Sequence, residues 1–251
     1  MRFGKRPKRA LPRVTVVVPV YDVERWLPES LDSLLGQSGV DLEVVVVDDG
    51  SPDGSGAIAD EYAARDHRVR VVHVPNGGLG SARNVGTEGV TGDFLGFLDS
   101  DDVVPPGALA TLASTLEESG SDFVTGWIVR WQADGLHEPP WMRRLHRERR
   151  LGVTAREHPE ILGDVFAWDK LFRRSFWDAA GLAWPEGIHY ATFRLPDGVS
   201  FMHVVIDSDQ PGRILGELPA FKAFSGTIEE RCDEPPVATE LTLVGSYAVR
   251  P

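Results

Sequence analysis

Cysteine is almost missing from this 251-residue chain: Cys232 is the one thiol, which excludes a disulfide framework and any zinc site built on clustered cysteines. A reducing, cytoplasmic setting is expected. No stretch approaches the roughly twenty apolar residues that a bilayer-crossing helix needs. Positive charge is short too, with 26 Lys and Arg against 38 Asp and Glu for a net charge of −12. A protein that neutralises phosphates along a duplex needs a basic face, so a general nucleic-acid binder is not expected. Internal repeats and low-complexity tracts are also lacking. What is present is 42% hydrophobic residues, enough for a packed core in one large or two small domains.

The charge is unevenly spread. Arg2, Lys5, Arg6, Lys8, Arg9 and Arg13 crowd the first 13 residues with no acid among them. A secretory leader would need an unbroken apolar core next, but Val14–Val20 contains Thr15 and Pro19 and runs into Asp22 and Glu24. Residues 1–12 are therefore expected to be a basic, disordered tail on the cytoplasmic side. Such a tail suits peripheral contact with anionic lipid, each basic residue adding about 1 kcal/mol.

From Val14 onward, apolar runs alternate with amphipathic stretches, the signature of a mostly parallel sheet covered by helices. The runs are Val14–Val20, Leu42–Val47, Val69–Val74 and Phe94–Leu98. Between the first two, Trp26, Leu27, Leu31, Leu34 and Leu35 share a helical face. A second helix follows Ser51-Pro52-Asp53, with Ile58, Ala59, Tyr62 and Ala63 inward and Asp53 or Ser55 as cap. A third opens after Asn76-Gly77-Gly78, and a fourth runs from Pro105-Pro106 to about Glu118. A strand is expected over Asp122–Trp131, a solvated basic run over 143–150, and helical patterns on both sides of 168–172. After Tyr190 the pattern changes to α+β: two strands over 191–195 and 199–206 joined by Pro196-Asp197-Gly198, a helix over 218–231 and a strand near 237–244.

Ligands of open α/β sheets sit beyond the carboxyl ends of the strands. Here those ends are polar: Pro19-Val20-Tyr21-Asp22, Asp48-Asp49-Gly50-Ser51, Pro75-Asn76-Gly77-Gly78 and Asp99-Ser100-Asp101-Asp102. Carboxylates gathered at one edge repel unless a cation compensates, and an oxygen-only donor set suits Mg²⁺ or Mn²⁺. The competing reading of the last quartet is a cap for the helix near Pro105. Gly78-Leu79-Gly80-Ser81-Ala82-Arg83 begins like a dinucleotide fingerprint but carries Arg in place of the third Gly. Arg83 is placed either to meet a phosphate or the carboxylates, or to form a buried structural ion pair.

Five blocks, in this order and spacing, resemble the family-2 glycosyltransferases: Val16-Val17-Val18-Pro19-Val20-Tyr21, Val45 to Ser51, Gly80 to Gly86, Phe97 to Asp102, and Trp168-Asp169-Lys170-Leu171-Phe172-Arg173. The resemblance covers about residues 12–190 and implies a GT-A, Rossmann-like nucleotide-sugar fold over 13–187. It implies that Pro19, Tyr21, Asp48 and Asp49 border the base and ribose, with Arg83 and Ser100 also at the nucleotide sugar. Asp99 and Asp101 match the DXD motif, with Asp101 ligating Mn²⁺ or Mg²⁺ and Asp99 serving ribose and metal. Trp168 would be an acceptor platform, although an aromatic beside Leu171 and Phe172 also suits a core. The implied reaction moves a sugar from a nucleotide-diphosphate donor, a UDP-sugar first among them, to a hydroxyl acceptor. Similarity of 137–150 to actinobacterial members points to a cell-wall glycopolymer as that acceptor.

Two departures stand out. The family's Asn at 169 is Asp169, and the Glu-Asp that follows the Gly-x-x-Tyr segment, whose Asp serves as general base, is replaced after Tyr190 by Ala191-Thr192. With Asp164, Asp169 and Glu186 the nearest other carboxylates, a nucleotide-sugar-binding protein without turnover is the alternative. Residues 188–251 instead resemble the second part of dimeric α+β barrel proteins related to antibiotic-biosynthesis monooxygenases, on Tyr190 to Leu195, Asp197 to Phe201, Leu218 to Phe221 and Arg231 to Pro236. That resemblance implies a joined, incomplete sheet whose open edge is completed in a homodimer, with a self-associating scaffold as a third reading.

Overall fold

The computed structural model describes residues 10–132, 135–146, 148–164, 166–184, 188–194 and 201–207. The basic tail up to residue 9, the turn at 196–198, and the helix and strand expected beyond 207 lie outside the described residues. The chain divides into two units, residues 1–77 with 81–184, and 78–80 with 185–251.

The first unit is built on a six-stranded sheet in the order β3 (Val69–His73), β2 (Asp41–Asp48), β1 (Arg13–Val20), β4 (Phe94–Phe97), β8 (Lys170–Arg173), β5 (Phe123–Thr125). Strands β1 (Arg13–Val20), β2 (Asp41–Asp48), β3 (Val69–His73) and β4 (Phe94–Phe97) run parallel. The Val-rich β1 and β2 have paired strands on both sides and helices on both faces of the sheet, which suits β-branched residues with few rotamers to lose, while β3 is an edge strand. Along β1 the side chains alternate: Val14, Val16, Val18 and Val20 enter one core and Val17 the other. Thr15, buried in the same strand, donates to Glu43 Oε2 at 2.7 Å and accepts the Gly92 N–H at 3.0 Å.

One face is covered by α1 (Leu27–Leu35), α2 (Ser55–Arg65) and α4 (Ala108–Ser119), which contribute Leu27, Leu31, Leu34, Ala59, Tyr62, Leu109, Ala113 and Leu116. The other is covered by α3 (Gly78–Thr87) and, later in the chain, α6 (Arg174–Ala179) through Ala82 and Trp177. Gly86 lets α3 lie close to the sheet, since a Cβ there would run into the side chains of Val17 and Val47. Trp26 departs from the expected helical face: it precedes α1 and is 45% exposed, with Arg25 stacked 4.4 Å from its ring.

Beyond α4 the sheet turns antiparallel. The single strand expected over 122–131 is two, β5 (Phe123–Thr125) and β6 (Arg130–Gln132), and the latter pairs with β7 (Gly135–His137) in a separate hairpin. β5 ends at Thr125, and the N–H of Gly126 just after it donates to Asp169 O at 2.7 Å. After α5 (Pro140–Leu145) and a 3₁₀ turn (Pro159–Gly163), β8 (Lys170–Arg173) inserts antiparallel between β4 and β5. The basic run is solvated but paired: Arg149 with Glu118 at 2.7 Å, and Arg150 with Glu160 at 2.7 Å. In the second unit β9 (Ile188–Arg194) and β10 (Phe201–Asp207) pair antiparallel.

Candidate active site

Because β1, β2 and β4 are parallel neighbours, the residues after each strand emerge at one edge. Buried Pro19 and half-buried Tyr21 end β1; Asp48 and Asp49 end β2; Asp99, Ser100, Asp101 and Asp102 follow β4. Tyr21 is followed by Asp22, the one described non-glycine residue with a positive φ, 56°.

The β2 loop uses its carboxylates to hold itself. Asp48 accepts the Ser51 N–H at 3.0 Å and faces His73 Nδ1 at 2.9 Å, while His73 Nε2 lies 3.1 Å from Asp60. Burial pushes the Asp48 carboxyl up, but the bonds from Ser51 and His73 outweigh it and leave it below the usual range. The two carboxylates in turn raise His73. Asp49, 3% exposed, accepts the Gly77 N–H at 2.8 Å and so ties this loop to the start of α3. The parallel register sets Asp48 against His73. Sequence reading missed His73 because only that register brings the two together.

Arg83 and Asp99 are brought together directly. Arg83, 8% exposed, donates to Asp99 Oδ1 at 2.6 Å from one turn inside α3. Burial pushes the Asp99 carboxyl up, against Arg83, and Asp101 adds to the rise. Asp102 is pushed up to about 7 by burial and by its neighbours Asp101 and Asp99. Asp101 is exposed and Ser100 buried. The helix-cap reading of this quartet fails: α4 starts at Ala108, its N-cap is Gly107, and no side chain caps it. The acids are thus not spent on the helix.

Among the described residues no three acidic or histidine side chains converge closely enough to hold a metal ion by themselves. The convergence expected of the strand-end carboxylates is therefore looser, because Asp48 and Asp49 turn into their own loop contacts. The donor set still fits a hard divalent cation: it is all oxygen, and burial with neighbouring carboxylates raises Asp99 and Asp102, with Arg83 the set's one buried counter-charge among the described residues. In such proteins the remaining ligands come from water and phosphate oxygens.

A second acidic cluster lies one strand away. The register Gly96↔Leu171 sets Lys170 and Asp169 beside the C-terminal end of β4. Lys170 Nζ is 2.8 Å from Asp164 Oδ1, 2.9 Å from Asp169 Oδ1 and 2.6 Å from Phe166 O, while Thr125 Oγ1 donates to Asp164 at 2.6 Å. Burial raises Asp169 against Lys170, and Asp164 raises it further. Asp164 meets the same burial but is held low by Lys170 and Thr125. Trp168, the expected acceptor platform, is half-buried with its ring 5.1 Å from Phe166.

The parallel-dominated, Rossmann-like sheet with acidic loops at the carboxyl ends of its strands is of the GT-A class of nucleotide-sugar folds. The Glycosyl transferase family 2 model matches residues 15–178, and the chain belongs to that family. It is 36% identical over 184 residues to the glycosyltransferase EpsJ of Bacillus subtilis, covering 72% of this chain and 54% of EpsJ. Against EpsH of the same organism it is 32% identical over 176 residues, 69% of this chain and 51% of EpsH. The structure of a TarS fragment from S. aureus in complex with UDP-GlcNAc superposes with a TM-score of 0.60 at 26% identity, over 69% of this chain and 49% of that one. The chain thus spans about half the length of the relatives it matches. No described helix is long and apolar enough to cross a membrane.

Proposed function

We propose that the protein is a metal-dependent transferase that moves a sugar from a nucleotide-diphosphate donor, a UDP-sugar, to a hydroxyl of a cell-wall or surface glycopolymer. The observation that carries this reading is the Asp99–Asp102 loop. It stands at the end of β4, caps no helix, and has Asp99 and Asp102 raised by burial and by neighbouring carboxylates, with a buried arginine on Asp99. The TarS structure with UDP-GlcNAc supports the donor class. Asp101, with Asp99 beside it, would hold Mn²⁺ or Mg²⁺, which supplies Lewis-acid neutralisation of the diphosphate leaving group. The chain's own residues do the rest: Arg83 fixes one oxygen of Asp99, Asp49 braces the nucleotide-side loop against Gly77, and Pro19 and Tyr21 wall the base pocket.

One observation favours binding without turnover. Of the carboxylates that could replace the missing Glu-Asp, Asp164 and Asp169 have fully buried side chains held by Lys170, so neither is poised to take a proton from an acceptor. Glu186 lies outside the described residues. Residues 188–251 enter the proposal as a separate α+β piece that pairs with a second copy; the antiparallel β9–β10 pair supports its strand-rich start.

Titration calorimetry with a panel of nucleotide sugars, with and without Mn²⁺, tests the reading. Metal-dependent binding is expected, with Asp101→Ala weakening it about 100-fold, and product formation then separates transferase from binder. Metal-independent binding, or none to any donor, overturns both.

A further inference from the structure

The stretch that closes the first unit carries a feature that the donor site does not itself explain. Trp184 is clasped by Asn84 of α3 on both backbone polar groups: Asn84 Nδ2 donates to Trp184 O at 2.9 Å, and Trp184 N–H donates to Asn84 Oδ1 at 2.7 Å. This is the hydrogen-bond pattern of a strand pair, made by one side chain. It fixes the indole in an aromatic group, edge-on to Phe97 with centroids 5.3 Å apart at 85°, and 6.1 Å from Trp177. The same indole has the Arg83 guanidinium 4.8 Å from its centroid. Arg83 precedes Asn84 in α3, and Phe97 ends β4 two residues before Asp99.

The indole therefore touches the guanidinium of the Arg83–Asp99 pair directly and, through Phe97, the end of the strand that leads into Asp99. Arg83 needs such a support. It makes one 2.6 Å bond to Asp99 through a terminal nitrogen, while its Nε is buried with no hydrogen-bond partner among the described residues. One hydrogen bond at the tip leaves the guanidinium's orientation under-determined, and a ring 4.8 Å from it restricts that orientation while favouring the cation.

We propose that Trp184 is a positioning residue for Asp99, holding Arg83 against the carboxylate from outside the nucleotide-side loops. The inference rests on the donor-site reading given under the proposed function. It makes the end of the chain's first unit part of the donor site's construction, since Asn84 and Arg83 are consecutive and seize the same residue. A purely structural tryptophan would stabilise the fold without acting through Arg83.

A double-mutant cycle on the full chain tests this. Mn²⁺-dependent binding of UDP is measured by calorimetry for the wild type, Trp184→Ala, Trp184→Phe, Arg83→Met and the double variant Trp184→Ala with Arg83→Met, with thermal unfolding to establish that each is folded. Trp184→Ala is expected to weaken binding about tenfold and Trp184→Phe about twofold. In the Arg83→Met background, Trp184→Ala should cost nothing further. Losses that multiply in the double variant, or wild-type binding in Trp184→Ala, overturn the proposal. If the wild type itself fails to bind UDP with Mn²⁺, the donor-site reading falls, and the Arg83 Nε–H resonance decides the remaining point. Ring current from Trp184 should displace that resonance in the wild type and release it in Trp184→Ala; a resonance that does not move in the variant overturns the positioning role.

Discussion

Two acidic clusters sit on neighbouring strands of one sheet, and they are solved in opposite ways. Around β8, Asp164 and Asp169 enclose Lys170, and Thr125 closes the remaining side, so the cluster carries its own cation and seals it. After β4, burial first and the neighbouring carboxylates second raise Asp99 and Asp102, and among the described residues the loop meets a single arginine at one oxygen of Asp99. Local density of acidic residues is thus a poor guide to a metal site. What separates a structural cluster from a candidate binding cluster is whether the fold supplies the counter-charge.

The largest effect expected of this contrast comes from taking away the internal cation. Lys170→Met removes the positive charge from between two side chains that are fully buried, leaving at least one carboxylate without compensation. Breaking a buried pair in this way costs about 3–5 kcal/mol, so the variant should unfold well below the wild type in urea or heat, and Mn²⁺ should not restore it. Rescue by Mn²⁺ would mean that the two clusters are interchangeable and that the distinction drawn between them is wrong.

A smaller effect follows from Asp169, which stands where the family has Asn. Its carboxyl is raised by burial and by Asp164, so the folded protein keeps a proton that the unfolded chain gives up. That contribution to stability is complete below the ordinary carboxylate range, about pH 4, and is lost as pH rises through the folded value. Asn holds no titrating proton and can accept from Lys170 while donating to Asp164. Asp169→Asn should therefore gain on the order of 1 kcal/mol over the wild type at about pH 8, and the gain should shrink toward about pH 5. Because this cluster is closed, thermal unfolding with and without Mn²⁺ should show the same difference. A gain that is constant with pH would show that Asp169 is ionised in the fold.

The unequal legibility of the two clusters has a physical origin. The β4 loop announces itself in the sequence, because a short apolar run ends abruptly in Asp99-Ser100-Asp101-Asp102, and strand ends are where ligands bind in such sheets. The four parallel strands and the helices between them were legible for the same reason: each is a local period with turn residues at its ends. The β8 cluster is not local. It forms because a four-residue strand, Lys170–Arg173, inserts antiparallel between β4 and β5, and four residues carry too little alternation to announce a strand. The break at Gly126 was hidden likewise, since β5 and β6 together read as one apolar stretch. His73 reaches Asp48 only through the parallel β2–β3 register, and Trp184 reaches Arg83 only through Asn84, a hundred residues earlier in sequence.

The finest test of the contrast lies in Asp102. Its carboxyl is pushed up to about 7 by burial and by Asp101 and Asp99, so the metal-free protein loses stability from this group as pH climbs from the unfolded value near about 4 through 7. Asp102→Asn removes that slope, and the variant's unfolding free energy should be flatter across the window, with an advantage of less than about 1 kcal/mol at its upper end once solvent screening is allowed for. Saturating Mn²⁺ should act on the wild type in the same window. A cation held at this loop favours the ionised carboxylates, so added metal should lift wild-type stability most where Asp102 has lost its proton, and the gap to Asp102→Asn should close. The Asp169 slope, by contrast, should stay where it was. If Mn²⁺ leaves both slopes unchanged, the β4 loop is not tuned to a cation and its raised carboxyls are simply the cost of burial; if it flattens both, the β8 cluster is open to metal and Lys170 does not seal it.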